Sequence, residues 1–420
     1  MSVLRWKNSV FRQSVFWGNF MMKEDFRVIR ARWIVPVSSP PLQNGWIRFG
    51  TTKIQEIGSG EPPADAVDLG DVAILPRLIN SHTHLEFSDH ESPVGSPGVS
   101  FSEWIKLVIA SRGLSNPDSL LSSLTSGLNE LWQTGTVLAG DIATPPLHYP
   151  AWKDQPDLVS FAEVLGLQSD RFNDRFQAAI EHADRLEKGA YSPHAPYSIS
   201  RDGFEKVIEH ALVKNRPVAM HIAESPEERE LLTSGTGPLA ELLDTMNLSP
   251  LEHYPWRGEP FRVLIDGLGQ LDCGFLIHGN DLTADEIEYL TRYPRLTVVY
   301  CPRTHDFFRF AKHPVDKMVN AGIRVALGTD SRASNPDLNL WKEVQYLLNH
   351  RQEIPPEEIL AMATSVPADA FQRACPSLRP SGQLRAGFRS DFGVVETHAT
   401  ESEQLWRDLS THPYCIPALI

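Results

Sequence analysis

The sequence predicts an α/β protein: a (β/α)8 barrel carrying a small β-sandwich built from its N- and C-terminal segments. Three observations predict it. Eight short apolar runs alternate with longer segments of helical periodicity from Val72 onward. Stretches rich in β-branched and aromatic residues stand before and after that alternation. Polar residues able to do chemistry fall at the C-terminal ends of the apolar runs, which is where a barrel of parallel strands carries its site.

The elements follow in order. Residues 1–25 hold Arg5, Lys7, Arg12 and Lys23 and no acid before Glu24, and Met21 and Met22 stand just ahead of the first strand-like run. They read as a disordered tail or a misassigned start rather than a targeting segment, and their broken apolar stretch is no secretory signal. From Phe26 to about Ala73, FRVIRARWIVPV, GWIRFG and TKIQEIGSG are strand-like runs separated by Pro, Gly and Asn. The barrel strands expected are VAILPRLINSHTH, GTVLAGDIA, LVSFAEVLGL, GAYSPHAPY, PVAMHIAES, CGFLIHGND, LTVVYCPRT and IRVALGTDS. Between them, segments such as SLLSSLTSGLNELWQT and DGFEKVIEHALVKN place apolar residues at helical spacing. GQLRAGFRSDFGVVE, from about Gly382, returns to β-type residues. The implied division is an extension over 1–25, a composite β domain over 26–73 and 376–420, and a barrel over 74–375.

Composition narrows the function. The 420 residues are 41% hydrophobic and 22% charged, with a formal net charge of −14. Such an acidic chain is a poor general binder of nucleic acid, which selects basic faces. No apolar run approaches the ~20 residues that span a bilayer. The four cysteines are far apart and form no CxxC pair, which fits a reducing cytoplasm and argues against a disulfide framework or a thiolate zinc site. The partner expected is a small-molecule heterocyclic substrate, not nucleic acid or membrane, with a homo-oligomer as a further expectation.

The chemistry is concentrated at five residues. The first run ends His82-Thr83-His84, and residues two apart on a strand face the same way, so both imidazoles reach one metal. His221 ends the fifth run, His278 the sixth and Asp330 the eighth. A lone histidine at such a place is more often a hydrogen-bonded structural residue. An HxH pair followed by two histidines and an aspartate, each closing its own apolar run, argues for a metal centre.

The stretches LPRLINSHTHLEF, SPHAPYSIS, MHIAES, LIHGNDL, CPRTH and LGTDSRAS resemble the amidohydrolase superfamily. The resemblance is to its cytosine deaminase-like branch, with the chlorohydrolases and adenosyl-type deaminases. It runs from Leu75 to about Ser334 and more weakly through both flanking β segments. It implies a mononuclear site in which His82, His84, His221 and Asp330 hold one Zn²⁺, or Fe²⁺, while His278 orients the attacking water. Binuclear relatives use a carboxylated lysine on strand four; here Lys188 precedes that strand, which argues against a second ion. Arg77 stands where many relatives have glycine, which leaves the local backbone open.

Glu224 follows His221 as His-Ile-Ala-Glu, the spacing at which deaminases of the branch carry a glutamate. A carboxyl group there would protonate a ring nitrogen; alternatively it opens the acidic helix start ESPEERE. By the same resemblance His194 contacts substrate, and Trp104, in VSFSEWIK, covers it; the alternatives are a loop brace and a packed helix-face tryptophan. Glu163 either braces a metal histidine or pairs with a buried base. Arg303 and His305, in CPRTH, meet the substrate or close the barrel rim. Ser331 and Ser334 hold the Asp330 carboxylate. The expected activity is metal-dependent hydrolytic deamination of a purine-like or nucleoside-type cyclic amidine, aminofutalosine- or adenosyl-like. The alternatives are a chlorohydrolase or cyclic amide hydrolase with the same site, and a catalytically inactive scaffold.

Overall fold

A computed structural model describes residues 26–112, 117–151 and 154–417; the extension expected over residues 1–25 lies outside them. Five strands open the chain: β1 (Arg27–Ile34), β2 (Leu42–Phe49), β3 (Ile54–Ser59), β4 (Val67–Asp68) and β5 (Val72–Pro76). Eight follow: β6 (Leu78–Thr83), β7 (Thr136–Ala143), β8 (Asp157–Val164), β9 (Gly189–Pro193), β10 (Val218–Ile222), β11 (Gly274–His278), β12 (Thr297–Tyr300) and β13 (Arg324–Leu327). β14 (Phe392–Glu396) and β15 (Tyr414–Cys415) come last.

Each of the eight expected apolar runs supplies one of the strands β6 to β13. These lie side by side in chain order, every neighbouring pair parallel. Strands in such a sheet are covered on both faces, which is why they read as unbroken apolar runs rather than as alternating ones. β9, β10 and β11 are buried at every residue. The periodic segments between them are helices, among them Pro117–Gln133 and Arg201–Lys214. The second of these starts where Ser200 accepts the Gly203 N–H and stops at Asn215, in the left-handed region.

The barrel closes between β6 and β13. The His82 carbonyl accepts both the Thr329 N–H (3.1 Å) and the Asp330 N–H (3.0 Å). Asn80 reinforces the seam: its Nδ2 donates to Thr329 Oγ1 at 2.7 Å and its Oδ1 accepts the Thr329 N–H at 3.2 Å. Gly328 permits this approach, since a Cβ there would stand 2.8 Å from His82 Cβ.

The terminal segments meet in one continuous sheet, ordered β15-β14-β5-β1-β2-β3, with β4 on β1. Ile29, Ile34, Ile47, Phe49, Ile74 and Phe392 form its apolar core. Two sequence expectations change here. VAILPRLINSHTH is two strands in two sheets: β5 pairs with β1 and β14, and β6 starts the barrel. The tail, expected to be of β type, also contains a helix, Ser402–Leu409, which buries Leu405 and Leu409. Arg77 sits at the joint between the sheets. Its Nη2 donates to the Trp132 carbonyl (2.8 Å), its Nε to that of Gly135 (3.2 Å), and its guanidinium lies 4.0 Å over the Trp132 ring. It thus satisfies carbonyls at the C-terminal end of helix Pro117–Gln133, work a glycine could not do.

Among the described residues, no helix is long and apolar enough to cross a membrane. Because the Asn80 amide is fully buried, its removal orphans seam groups at about 1–3 kcal/mol each. Asn80→Ala is therefore expected to lower the thermal unfolding midpoint by several degrees, as read by calorimetry.

Candidate active site

The strand ends that carry polar side chains bend the chain sharply. Ala223 (φ 53°), His278 (φ 72°) and Asp330 (φ 59°) all lie in the left-handed region without being glycine. That conformation costs roughly 1–2 kcal/mol per residue, and each is held by specific partners. Glu228 Oε1 accepts the Ala223 N–H (2.7 Å) and its Oε2 the Glu224 N–H (3.1 Å). His313 Nε2 donates to the His278 carbonyl at 3.0 Å. Asp330 is held by the seam itself.

These bends bring five buried groups together. His84 Nε2 lies 3.3 Å from His221 Nε2, and Asp330 Oδ1 lies 3.4 Å from His82 Nε2 and 3.6 Å from His84 Nε2. One ligand atom from each of His82, His84 and His221 falls within 4.8 Å of the others, and the same holds for His82, His278 and Asp330. Both ring nitrogens of His82, Nδ1 of His84 and Nε2 of His278 lack a hydrogen-bond partner. His221 donates Nδ1–H to the His194 carbonyl at 2.7 Å, which leaves the Nε2 lone pair facing inward. Burial holds His84, His221 and His278 well below the usual imidazole range, so each presents a neutral nitrogen. Burial alone would raise the Asp330 carboxyl, but the His82 ring against it outweighs burial and holds it well below the usual carboxylate range. Donor atoms around a tetrahedral ion at about 2.1 Å stand roughly 3.4 Å apart. The donor set therefore fits one divalent metal ion.

Glu224 lies beside this cluster, 4% exposed. Its Oε1 is 3.3 Å from His278 Nε2, and its Oε2 accepts the Tyr197 hydroxyl at 3.3 Å. Burial, then the charges of Asp330 and Glu228, push its carboxyl well above the usual value. The helix-start alternative is taken up by its neighbours: Ser225 caps helix Pro226–Ser234 by accepting the Glu228 N–H, and Glu228 turns back onto the strand end. Glu224 is left to face the cavity.

That cavity has a volume of about 580 Å³. His84, His221, Glu224, His278, Asp330 and Ser331 line it at the barrel end. Trp104, Ile105 and Val108, from helix Phe101–Arg112, and Leu239, Leu242 and Leu243, from helix Pro238–Thr245, supply apolar lining, with Arg112, Arg171 and Arg175 adding charge.

Of the other expected residues, Trp104 and His194 line the cavity. Trp104 Nε1 donates to the Ala333 carbonyl at 3.1 Å, which fixes the ring. His194 bonds Ser198 Oγ through Nδ1 (2.7 Å) and turns Nε2 towards Glu163 Oε1 at 3.8 Å. Glu163 bonds Thr144, lies 3.9 Å from Arg112 and lines the cavity, apart from the candidate metal ligands. Ser334 Oγ donates to Asp330 Oδ2 (3.0 Å), whereas Ser331 reaches Oδ1 through its backbone N–H (2.7 Å).

Arg303 does not line the cavity. Its guanidinium is held by Glu343 at 2.6 Å and Asp337 at 2.8 Å, and Glu343 also anchors Asn335 behind the Asp330 turn. His305 is likewise turned away, its Nε2 donating to the Ala311 carbonyl at 2.9 Å. Lys188 pairs with Asp157 at 2.7 Å, at the opposite end of the strands from the site. Tyr197 and Glu228 went unmarked in the sequence, although both sit inside motifs that were noticed, SPHAPY and ESPEERE.

Residues 73–412 match the amidohydrolase family. The chain belongs to the amidohydrolase family. This amidohydrolase is 28% identical over 348 residues to the aminodeoxyfutalosine deaminase of Deinococcus radiodurans, covering 78% of this chain and 80% of that one. It is 26% identical over 352 residues to the 5-methylthioadenosine/S-adenosylhomocysteine deaminase of Carboxydothermus hydrogenoformans, covering 80% and 75%. Its fold resembles the crystal structure of Helicobacter pylori aminofutalosine deaminase with a TM-score of 0.78 at 21% identity, over 93% of this amidohydrolase and 97% of that chain.

Glu228 is buried and holds two backbone N–H groups. Glu228→Ala is expected to cost about 2–6 kcal/mol, the sum of two orphaned donors, read as a lower midpoint in thermal unfolding.

Proposed function

We propose that this amidohydrolase is a metal-dependent deaminase that replaces a ring amine of a purine-like nucleoside with a carbonyl oxygen and releases ammonia. The observation that carries the reading is Glu224: a buried carboxyl group on the cavity lining, beside His278 but outside the cluster of candidate ligands. Loss of a ring amine needs a proton delivered to the ring nitrogen, because the protonated ring accepts a nucleophile at the adjacent carbon. The relatives' names, deaminases of aminodeoxyfutalosine and of 5-methylthioadenosine and S-adenosylhomocysteine, support the same class. An aminofutalosine- or adenosyl-type nucleoside suits a cavity whose apolar lining extends well past the metal cluster.

One Zn²⁺ per chain is the ion proposed for His82, His84, His221 and Asp330, since three imidazoles and a carboxylate suit it. When bound, it would supply acidified water at neutral pH and a positive charge beside the reacting carbon. The protein does the rest. Asp330 takes a proton from the attacking water. Glu224 delivers its proton to the ring nitrogen, steadied by the Tyr197 hydroxyl on its other oxygen. His278, fixed by His313, hydrogen-bonds the oxygen that adds. The added hydroxyl then gives its proton to Glu224, restoring it, while Asp330 passes its proton to the departing amine, so the carbonyl forms as ammonia leaves. Trp104 and His194 hold the ring at the cavity wall. We place the enzyme in the cytoplasm, where the free thiols of Cys273, Cys301, Cys375 and Cys415 would stay reduced.

Reconstituted protein is expected to bind about one Zn²⁺ per chain by elemental analysis, because the candidate ligand atoms form overlapping groups that share His82; two ions would sink this reading. His82→Ala should lose both ion and turnover. Glu224→Gln should keep the ion while kcat for ammonia release from 6-aminopurine nucleosides falls by ~10²–10⁴, the usual contribution of a general acid–base. Near wild-type turnover, or a variant that cannot hold the ion, would remove Glu224 from the proposed role.

A further inference from the structure

Behind the HxH turn, on the side away from the cavity, runs a chain of buried polar groups that the reaction does not use. Asp141, near the end of β7, stands in register with Thr83, between the two histidines. Its Oδ1 accepts the N–H of Leu85, the residue after His84, at 2.8 Å. Its Oδ2 accepts the Tyr149 hydroxyl at 2.5 Å. Tyr149 Oη is 2.8 Å from Ser160 Oγ, and Ser160 Oγ is 2.8 Å from His182 Nε2. His182 Nδ1 lies 3.4 Å from Arg185 Nη2, and Arg185 Nη1 lies 2.9 Å from His148 Nε2, at the protein surface. Asp141, Ser160 and His182 are buried.

Arg185 fixes the direction of this chain. A guanidinium can only donate, so His182 Nδ1 must accept and its proton sits on Nε2. His182 Nε2–H then donates to Ser160, Ser160 to Tyr149, and Tyr149 to Asp141. Burial, with the Arg185 charge, brings the His182 pKa down to about 4, so the ring is neutral, as that order requires. Every donor points inward, and the array ends on Asp141, where Oδ2 accepts from Tyr149 while Oδ1 accepts from Leu85. Burial pushes Asp141 up to about 8, while the Tyr149 and Leu85 donors pull the other way.

We propose that Asp141 is a positioning residue for His84: the directed array from Arg185 keeps it an acceptor, and its grip on the Leu85 N–H sets where the His84 ring points. This rests on His84 being a metal ligand. Partners that orient ligands in this indirect way typically carry a factor of about 10–100 in metal affinity.

The test is Zn²⁺ affinity of the reconstituted full chain, measured by competition with a chromophoric chelator. Asp141→Asn keeps the size but brings an amide donor. That donor can face Tyr149 only if every bond out to His182 reverses, and the reversed His182 Nδ1–H would meet Arg185. Asp141→Asn is expected to bind Zn²⁺ about 10–100-fold more weakly. Removing the surface cation with Arg185→Leu lets the array reverse, so the double variant should recover most of that loss. A defect from damaged packing alone would not be repaired by a second substitution at the surface. Affinity within about 2-fold of wild type for Asp141→Asn, or no recovery in the double variant, overturns the proposal. If Asp141→Asn does not fold, Tyr149→Phe removes one donor from the carboxylate and keeps the ring; unchanged affinity there overturns it equally. His84→Ala binding Zn²⁺ like wild type would instead remove the ligand assignment underneath, whatever Asp141 does.

Discussion

The His82 carbonyl oxygen accepts two N–H groups from the far end of the barrel, and the rest of the site depends on that junction. A parallel sheet becomes a barrel only when its first and last strands pair. Here they pair at the residue whose ring faces the Asp330 carboxylate. Closure and ligand placement are thus one event. The first candidate ligands and the last come into range because the seam is short, and the seam is short because Gly328 lets β13 pass against His82. Between them, the parallel register sets Ile222 beside His278, so the ends of β10 and β11 reach the same height.

A cluster of this kind is costly to bury without a cation. Imidazole nitrogens with no hydrogen-bond partner are held around a buried carboxylate, in surroundings where orphaned polar groups are penalised. Three strained backbone residues add to the cost. The surrounding structure offsets it with partners assigned to each: Glu228 at Ala223, His313 at His278, Ser331 and Ser334 at Asp330. Strain retained at strand ends and held this firmly marks a site whose geometry has been kept in spite of stability.

The barrel strands were legible because each is a run of apolar residues stopped by polar ones, and the five residues of the cluster were legible because each sits at such a stop. The split at Arg77 was not. β5 and β6 are equally apolar and only one residue separates them, so the change of sheet leaves no mark in the pattern. Helix Ser402–Leu409 was missed because it is short and lies in a tail dominated by strand residues. The substrate-facing alternative for Arg303 fails for a different reason. The residue follows a barrel strand, as a substrate-binding residue would, but the acids that engage it lie 34 and 40 positions further on. Sequence spacing shows which residues can share a strand end; it does not show which distant side chains will occupy them first. Tyr197, too, declares its role only once β9 and β10 stand side by side.

The terminal sheet puts a schedule on synthesis. β5 has β1 on one edge and β14 on the other, and β14 is made more than three hundred residues later. By the time Phe392 leaves the ribosome, the barrel strands in between have all been made. Until then one edge of β5, with Ile74 and Leu75 on it, is an open row of backbone donors and acceptors. Open edges of this kind recruit other strands. A nascent chain of this enzyme is therefore exposed to mispairing for most of its translation, and that exposure ends only when its last segment arrives to cover the edge.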